Sequence, residues 1–531
     1  MRWLKAVVIS FTTLWAACVA VDMKFPPGFK FGAGTSAYQI EGAWNASDKG
    51  ISIWDNALHN DPNLVSDGTT GDVACNSYHL WKEDIHIAHE LGLHFYRFSI
   101  SWTRILPTGF PNKISKDGIN YYNKLIDGLL RKGIEPVITL QHFDLPLSIQ
   151  NLGGWTNPLI ADWFADYAGV VFSNYADRVK TWITINEPHM VCDLVYNFAI
   201  LVPIVTEPWL GPFLCNKNVL MAHAKAWRIY DENYKQKYHG KVSIANNPIW
   251  LEAKTEDDED LAELAREFGV GRFSDPIYSE EGGWPPAIEK LMIDYSKKQG
   301  FPYSRLPLFT EEEKKLIKGT YDYYSLIYYT SRLVRPAHEG EEPGPWFING
   351  SKELNVILET DPRWPITDSS YILINPEGIR RQITWITRRY KNVSILITEN
   401  GLGTKSAELH DTARIRFIQD HLQQILLAIK EDGANVVGYT VWSLMDNFEW
   451  IFGQTLRFGL YHIDFTDPLR KRTPRASAHY YKSIIKHHSL DVPHPSQVTR
   501  ELRHSNAGSS KFSLCTLIGL ITLGKLVSNS L

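Results

Sequence analysis

The chain has 531 residues, of which 44% are apolar and 21% charged, and its formal net charge is −4. That is enough apolar material for one large core, and the near-neutral balance, without a strongly basic stretch, argues against nucleic acid as a partner. Five cysteines in this length exclude a disulfide-built scaffold and show no metal-ligand spacing.

Residues 1–20 read as a secretory signal. Arg2 and Lys5 precede an apolar stretch, and Cys18, Val19 and Ala20 form a small-residue cleavage site. The other reading is a membrane anchor, for which the stretch is short. At the far end, residues 496–531 carry a small polar segment, SNAGSS at 505–510, and then the apolar FSLCTLIGLITLG at 512–524. That order fits the attachment signal of a GPI lipid anchor, with a plain membrane segment as the alternative. Both ends point to the secretory pathway and to an extracellular or surface-anchored protein. Cys18 and Cys515 fall in these ends. Of the other three, Cys192 and Cys215 are the expected pair if one bridge forms, because the segment between them reads as one loop. Asn45, Asn349 and Asn392 head glycosylation triplets.

Between them, residues 22–495 show no low-complexity linker. Strand-like runs cover residues 29–35, 94–101, 135–142, 181–186, 241–246, 322–329, 394–398 and 435–442. Helical spacing of apolar residues runs from Ile119 to Leu130 and from Ala413 to Ile429. Eight strands alternating with helices predict an α/β fold, a single-domain (β/α)8 TIM barrel with loop insertions at its C-terminal face. Residues 251–320 are expected to add helices and loops, and residues 339–372 an irregular lobe. In such a barrel the strand ends share one mouth. Arg97, His142, Asn186, Glu187, Tyr329, Glu399, Asn400 and Glu449 all fall near predicted strand ends.

Two of these are carboxylates at the ends of the fourth and seventh strands. Glu187 follows an apolar run in TINEP (184–188), and Glu399 ends another in ILITENG (395–401). Glycoside hydrolysis needs such a pair across a cleft, one to attack the anomeric carbon and one to protonate the leaving oxygen. The bland alternative for Glu187 is capping the turn at Pro188.

The motifs TINEP and ITENG resemble the acid/base and nucleophile motifs of glycoside hydrolase family 1, the β-glucosidase family. FKFGAGTSAYQIEGA (29–43), YRFSISW (96–102), QHFD (141–144) and WSLMDNFEW (442–450) resemble further signatures of that family, in order. The resemblance spans residues 24–488 and is nearest to animal secreted or membrane-tethered members, such as lactase-like proteins and insect β-glucosidases. It implies a retaining β-glycosidase acting on O-linked β-glucosides, galactosides or fucosides, with no metal or organic cofactor. It assigns Glu399 as nucleophile and Glu187 as acid/base, with Arg97 and Tyr329 orienting Glu399. Gln39, His142, Asn186 and Glu449 would bind sugar hydroxyls, while Trp442, Trp450 and Phe458 would face the ring. Trp442 and Phe458 also fit a core role. A carboxylate at Glu449 would repel a phosphorylated sugar. Retention requires carboxyls about 5–5.5 Å apart. Glu at both positions argues against thioglucosidases of the plant type and leaves open other thioglucosidases that keep both carboxylates.

Two stretches depart from the family pattern. In DYYSLIYYT (322–330) Ile327 stands where an Asn is usual and Ser325 where a Gly is usual. Loss of that amide is expected to cost one hydrogen bond near the nucleophile, roughly 1–3 kcal/mol. Residues 195–211, VYNFAILVPIVTEPWLG, are more apolar than the family's loop, which points to a hydrophobic aglycone. Ile327 motivates a second reading, a catalytically weak member serving as a surface binding protein or co-receptor.

Overall fold

Eight parallel strands close into a barrel, and their apolar runs are buried on both faces, as parallel strands require. The computed structural model describes residues 23–198, 201–344, 346 and 349–493. The segments read as a signal and an anchor lie outside them. The strands are β1 (Lys30–Gly34), β2 (Phe95–Ser99), β3 (Glu135–Gln141), β4 (Thr181–Asn186), β5 (Lys241–Asn246), β6 (Tyr324–Ile327), β7 (Ile395–Asn400) and β8 (Val436–Trp442). Each pairs in parallel with its neighbours in chain order, and β8 returns to β1. All eight coincide with the predicted runs. The expected helical spacings form helices Lys116–Arg131 and Thr412–Lys430.

The barrel interior is filled by one apolar layer: Phe95, Val137, Ile183, Ala245, Tyr323, Ile327 and Leu396. Gly32 on β1 makes room for it, because a Cβ there would stand 2.2 Å from the Phe95 ring. The insertions are more regular than the sequence implied. Residues 339–372 contain strands Gly350–Ser351 and Val356–Glu359, which join Ser331–Pro336 and Trp250–Ala253 in a separate four-stranded sheet. Short strands there are hidden in sequence by the surrounding Pro and Gly.

Cys192 and Cys215 are joined in a disulfide, with Cα atoms 5.3 Å apart. They do not bracket a simple loop. Cys192 sits in the helical turn Met190–Val195 and Cys215 in helix Gly211–Tyr230. Asn45, Asn349 and Asn392 are all exposed.

The loop after β8 is fixed by a buried charge. Asp446 accepts from Arg475 Nη1 and Nη2 at 2.8 and 2.9 Å, from His462 at 3.0 Å and from the Gly459 N–H at 3.0 Å. Burial opposes its ionisation, but the His462 and Arg475 contacts outweigh that and hold its carboxyl at about 2. Asp446→Asn leaves Arg475 buried without its anion and is expected to cost about 3–5 kcal/mol of stability at neutral pH. The folded carboxyl lies below the unfolded one, so this contribution is present above about pH 4 and fades as pH falls towards 2. Denaturant titrations of both proteins should therefore show a gap that narrows in acid. A gap below 1 kcal/mol at pH 7 would contradict this.

Candidate active site

The site is built on strand alternation. Phe95, Arg97 and Ser99 share one face of β2. Phe95 fills the barrel, so Arg97 stands one layer nearer the mouth, fully buried. A guanidinium in that position must be paired. Arg97 Nη1 donates to Glu399 Oε1 at 2.5 Å and to the Thr398 carbonyl at 2.9 Å, Nη2 to Asn186 Oδ1 at 2.6 Å, and Nε to Thr139 Oγ1 at 3.2 Å. Tyr329 Oη donates to the other oxygen of Glu399 at 2.8 Å.

Simple alternation would turn Glu399 away from the barrel, because Leu396 already faces inwards. The β7 pairing shifts register between Ile397 and Glu399, and this re-aims the carboxyl towards Arg97. A similar shift between Ile183 and Asn186 brings Asn186 in from β4. Glu187 then leaves the strand with φ of 45°, a left-handed conformation that costs a non-glycine residue on the order of 1–3 kcal/mol. Phe143 and Trp450, also at the site, have φ of 68° and 49°. Glu187 Oε1 accepts a short hydrogen bond from Asn247 Nδ2.

The two carboxyls therefore have different company. Burial pushes both up. For Glu187 the negative charge of Glu399 adds to burial, and its hydrogen-bond donor is a neutral amide. For Glu399 the charge and hydrogen bond of Arg97, with the bond from Tyr329, oppose burial. The anion of the pair accordingly resides on Glu399 and the proton on Glu187. Burial and the Glu399 charge raise Tyr329 well above the ordinary phenol value, so it remains a donor.

On the sugar side, Gln39 Nε2 donates to Asn447 Oδ1, the Phe448 carbonyl and Glu449 Oε2 at 3.0–3.2 Å. Asn186 Oδ1 is taken by Arg97, so its amide N–H donates to His142 Nε2 at 3.1 Å. That places the imidazole proton on Nδ1, which is buried and has no partner among the described residues. Burial and the Arg97 charge keep His142 neutral. Its ring stacks on Trp442 and Trp450 with centroids 5.6 and 6.0 Å apart.

These residues open on a cleft of 410 Å³. Glu187, Glu399, Tyr329, His142, Trp442, Glu449, Trp450 and Phe458 line it, while Arg97, Gln39 and Asn186 stand behind that surface and hold the others. Trp442 and Phe458 do both jobs considered for them, lining the cleft and packing with Ile372 and Leu456. Asn400 is not at the site. It bridges the Tyr328 carbonyl and Tyr439 Oη.

Sequence reasoning missed Asn247, the partner of Glu187. Its signal was available, since it directly follows the end of β5. Met190, Leu194, Ile249, Tyr371 and Phe452 also line the cleft and carry no motif.

The two departures at β6 have structural replacements. Ile327 continues the apolar layer of the barrel, and both oxygens of Glu399 keep a donor. Ser325 Oγ and Thr398 Oγ1 are hydrogen-bonded at 2.8 Å, tying β6 to β7 beside Glu399. Ile327 itself supplies no hydrogen bond to Glu399, whose donors are Arg97 and Tyr329.

Glu449 is the third carboxyl lining the cleft. Burial and then Glu399 push it to about 8, against hydrogen bonds from Trp442 and Gln39. Above pH 8 its charge helps Glu187 retain its proton. Glu449→Gln is thus expected to move the basic limb of the kcat/KM–pH profile to lower pH. A limb that stays put or moves up would remove Glu187 as its source.

The family model described as Glycosyl hydrolase family 1 matches residues 21–490. Myrosinase 1 of Brevicoryne brassicae is 44% identical over 88% of this chain and 99% of its own length. The human cytosolic beta-glucosidase is 41% identical over 88% of this chain and its full length. Among solved structures, an aphid myrosinase superposes with a TM-score of 0.83 at 44% identity, covering 87% of this chain and 99% of its own. A beta-glucosidase from Thermotoga maritima gives 0.78 at 35% identity, over 88% of this chain and all of its own. The buried carboxyl pair at the barrel mouth and these likenesses along the chain agree, and the protein belongs to glycosyl hydrolase family 1.

Proposed function

We propose that the protein hydrolyses β-linked glucosides of apolar aglycones with retention of configuration, using Glu399 and Glu187 as the reacting carboxyls. The observation that carries this reading is their asymmetry: Glu399 is held as an anion by Arg97 and Tyr329, and Glu187 is pushed towards its protonated form. In the first step Glu399 attacks the anomeric carbon as the bond to the aglycone oxygen breaks. Glu187 gives its proton to that oxygen. In the second, Glu187 takes a proton from water, the water oxygen bonds to the anomeric carbon, and Glu399 leaves as carboxylate. Arg97 and Tyr329 hold the attacking oxygen pair in place throughout. Neutral His142 and Glu449 line the cleft and are the groups placed to meet sugar hydroxyls.

The apolar aglycone is supported by Met190, Leu194, Leu201 and Ile249 on the cleft wall near Glu187. Alkyl β-glucosides are expected to show kcat/KM rising with chain length, by about two- to fourfold per methylene. A flat series would remove this preference. NMR of the first-formed sugar should show the β-anomer, and an α-product would overturn retention.

The protein is further proposed to follow the secretory route through its N-terminal segment, with a membrane tether at the C-terminus. The Cys192–Cys215 disulfide and the three exposed sequon asparagines support this. Deglycosylase treatment of protein from animal-cell medium or membranes should lower its mass, and an unchanged mass in both fractions would count against the route.

A further inference from the structure

Buried arginines in the described residues follow a rule with one exception. Arg97, Arg104, Arg272, Arg414 and Arg475 each meet a carboxylate at 2.5–2.9 Å, and Arg266 and Arg305 do the same. This is what charge burial demands. Arg332 is 9% exposed and forms no ion pair among the described residues. Its Nη1 donates to Thr330 Oγ1 and the Ser331 carbonyl at 2.9 and 2.8 Å, and its Nη2 to the Tyr371 carbonyl at 2.7 Å. All three acceptors are neutral. A guanidinium has five N–H donors, so Nε and one Nη2 hydrogen stay unused by these bonds. Burial pushes the group down, but arginine stays charged at any working pH.

This unmatched charge lines the active-site cleft. Its strand, Ser331–Pro336, pairs with Trp250–Ala253, placing Arg332 opposite Leu251. That neighbour strand follows Asn247, the partner of Glu187. Arg332, Asn247 and Glu187 line one cleft, and the leaving oxygen is the atom that Glu187 protonates. Met190, Leu194 and Leu201 supply apolar wall in the same cleft.

We infer that Arg332 is the counter-charge for an anionic group on the aglycone, a carboxylate, sulfate or phosphate carried beyond the glycosidic oxygen on an apolar body. This rests on the hydrolase reading above and narrows its substrate class to amphiphilic, acidic aglycones. The guanidinium offers such an anion charge-assisted hydrogen bonds that a neutral aglycone cannot use.

The test uses the full chain and two aryl β-glucosides, 4-(carboxymethyl)phenyl and its neutral 4-(carbamoylmethyl)phenyl counterpart. The methylene insulates the leaving oxygen, and residual differences cancel when ratios are compared between proteins. The wild type is expected to favour the carboxylate by about tenfold or more in kcat/KM, chiefly through KM, with the preference shrinking as salt rises. Arg332→Gln should bring the ratio to near one, and Arg332→Lys should keep part of the preference. A wild-type ratio at or below one overturns the inference, as does an unchanged ratio in Arg332→Gln. Should that variant fail to fold, the salt response and Arg332→Lys decide, and a salt-independent wild-type ratio overturns it. A preference for an anion on the sugar O6 in place of the aglycone would also overturn it. Turnover of the neutral glucoside with no anion preference defeats this inference alone, whereas no turnover of either substrate defeats the hydrolase reading beneath it.

Discussion

Glu399→Gln is expected to lower kcat/KM for aryl β-glucosides by about 10⁴-fold or more. The amide keeps the shape of the side chain and loses the charge that attacks the anomeric carbon. The size of the effect comes from the absence of a substitute. Glu187 is engaged with Asn247 and carries a proton, and Glu449 is turned into the bonds from Gln39 and Trp442. The change also strands Arg97, which is fully buried and loses its only ion-pair partner among the described residues. A stability loss of about 3–5 kcal/mol should accompany the loss of turnover. Thermal unfolding checks this and confirms that the assay is done on folded protein. Residual activity within a hundredfold of wild type would remove Glu399 as the nucleophile.

Glu187→Gln is expected to act differently on the two chemical steps. Removing the proton donor costs about 10²–10⁴-fold where the leaving oxygen is poor, as in alkyl glucosides. A nitrophenolate leaves without help, so glycosyl transfer to Glu399 should continue with such a substrate. Water then attacks without a base, and the glycosyl-enzyme accumulates. Rapid mixing should show a burst of one nitrophenol per site followed by slow turnover. The basic limb of the pH profile should also disappear, because it reports loss of the Glu187 proton. A variant that slows nitrophenyl and alkyl glucosides equally, with no burst, would contradict the acid/base role.

Much of this was legible before any coordinates. Parallel strands buried on both faces announce themselves as apolar runs, so all eight were readable. A carboxylate that ends such a run faces a common mouth, and this rule led to Glu187 and Glu399. The finer aim of the site was not legible. Whether Glu399 or Thr398 faces inwards depends on a register shift in β7, and sequence alternation alone gives the wrong face. The shift at Asn186 hides in the same way. The electrostatic state of Glu449 was also out of reach. It depends on the company of Trp442, Gln39 and Glu399, brought together from β8, the short helix Ala37–Ile40 and β7. Arg332 carries no motif, and an arginine just past the predicted 322–329 run reads as a solvated side chain until its missing carboxylate is seen. Ile327 departs from the family motif in sequence, whereas in the barrel interior an isoleucine there completes an apolar layer.

The central claim is that Glu399 forms a covalent bond to the sugar, and it can be weighed directly. A 2-deoxy-2-fluoro-β-glucoside with a dinitrophenolate leaving group slows both steps, while the activated leaving group lets the first proceed. Mass spectrometry of the digested protein is predicted to find one fluoroglucosyl adduct, on the peptide containing Glu399, and none in Glu399→Gln. An adduct on Glu187 or Glu449, or rapid product release without any adduct, would contradict the account.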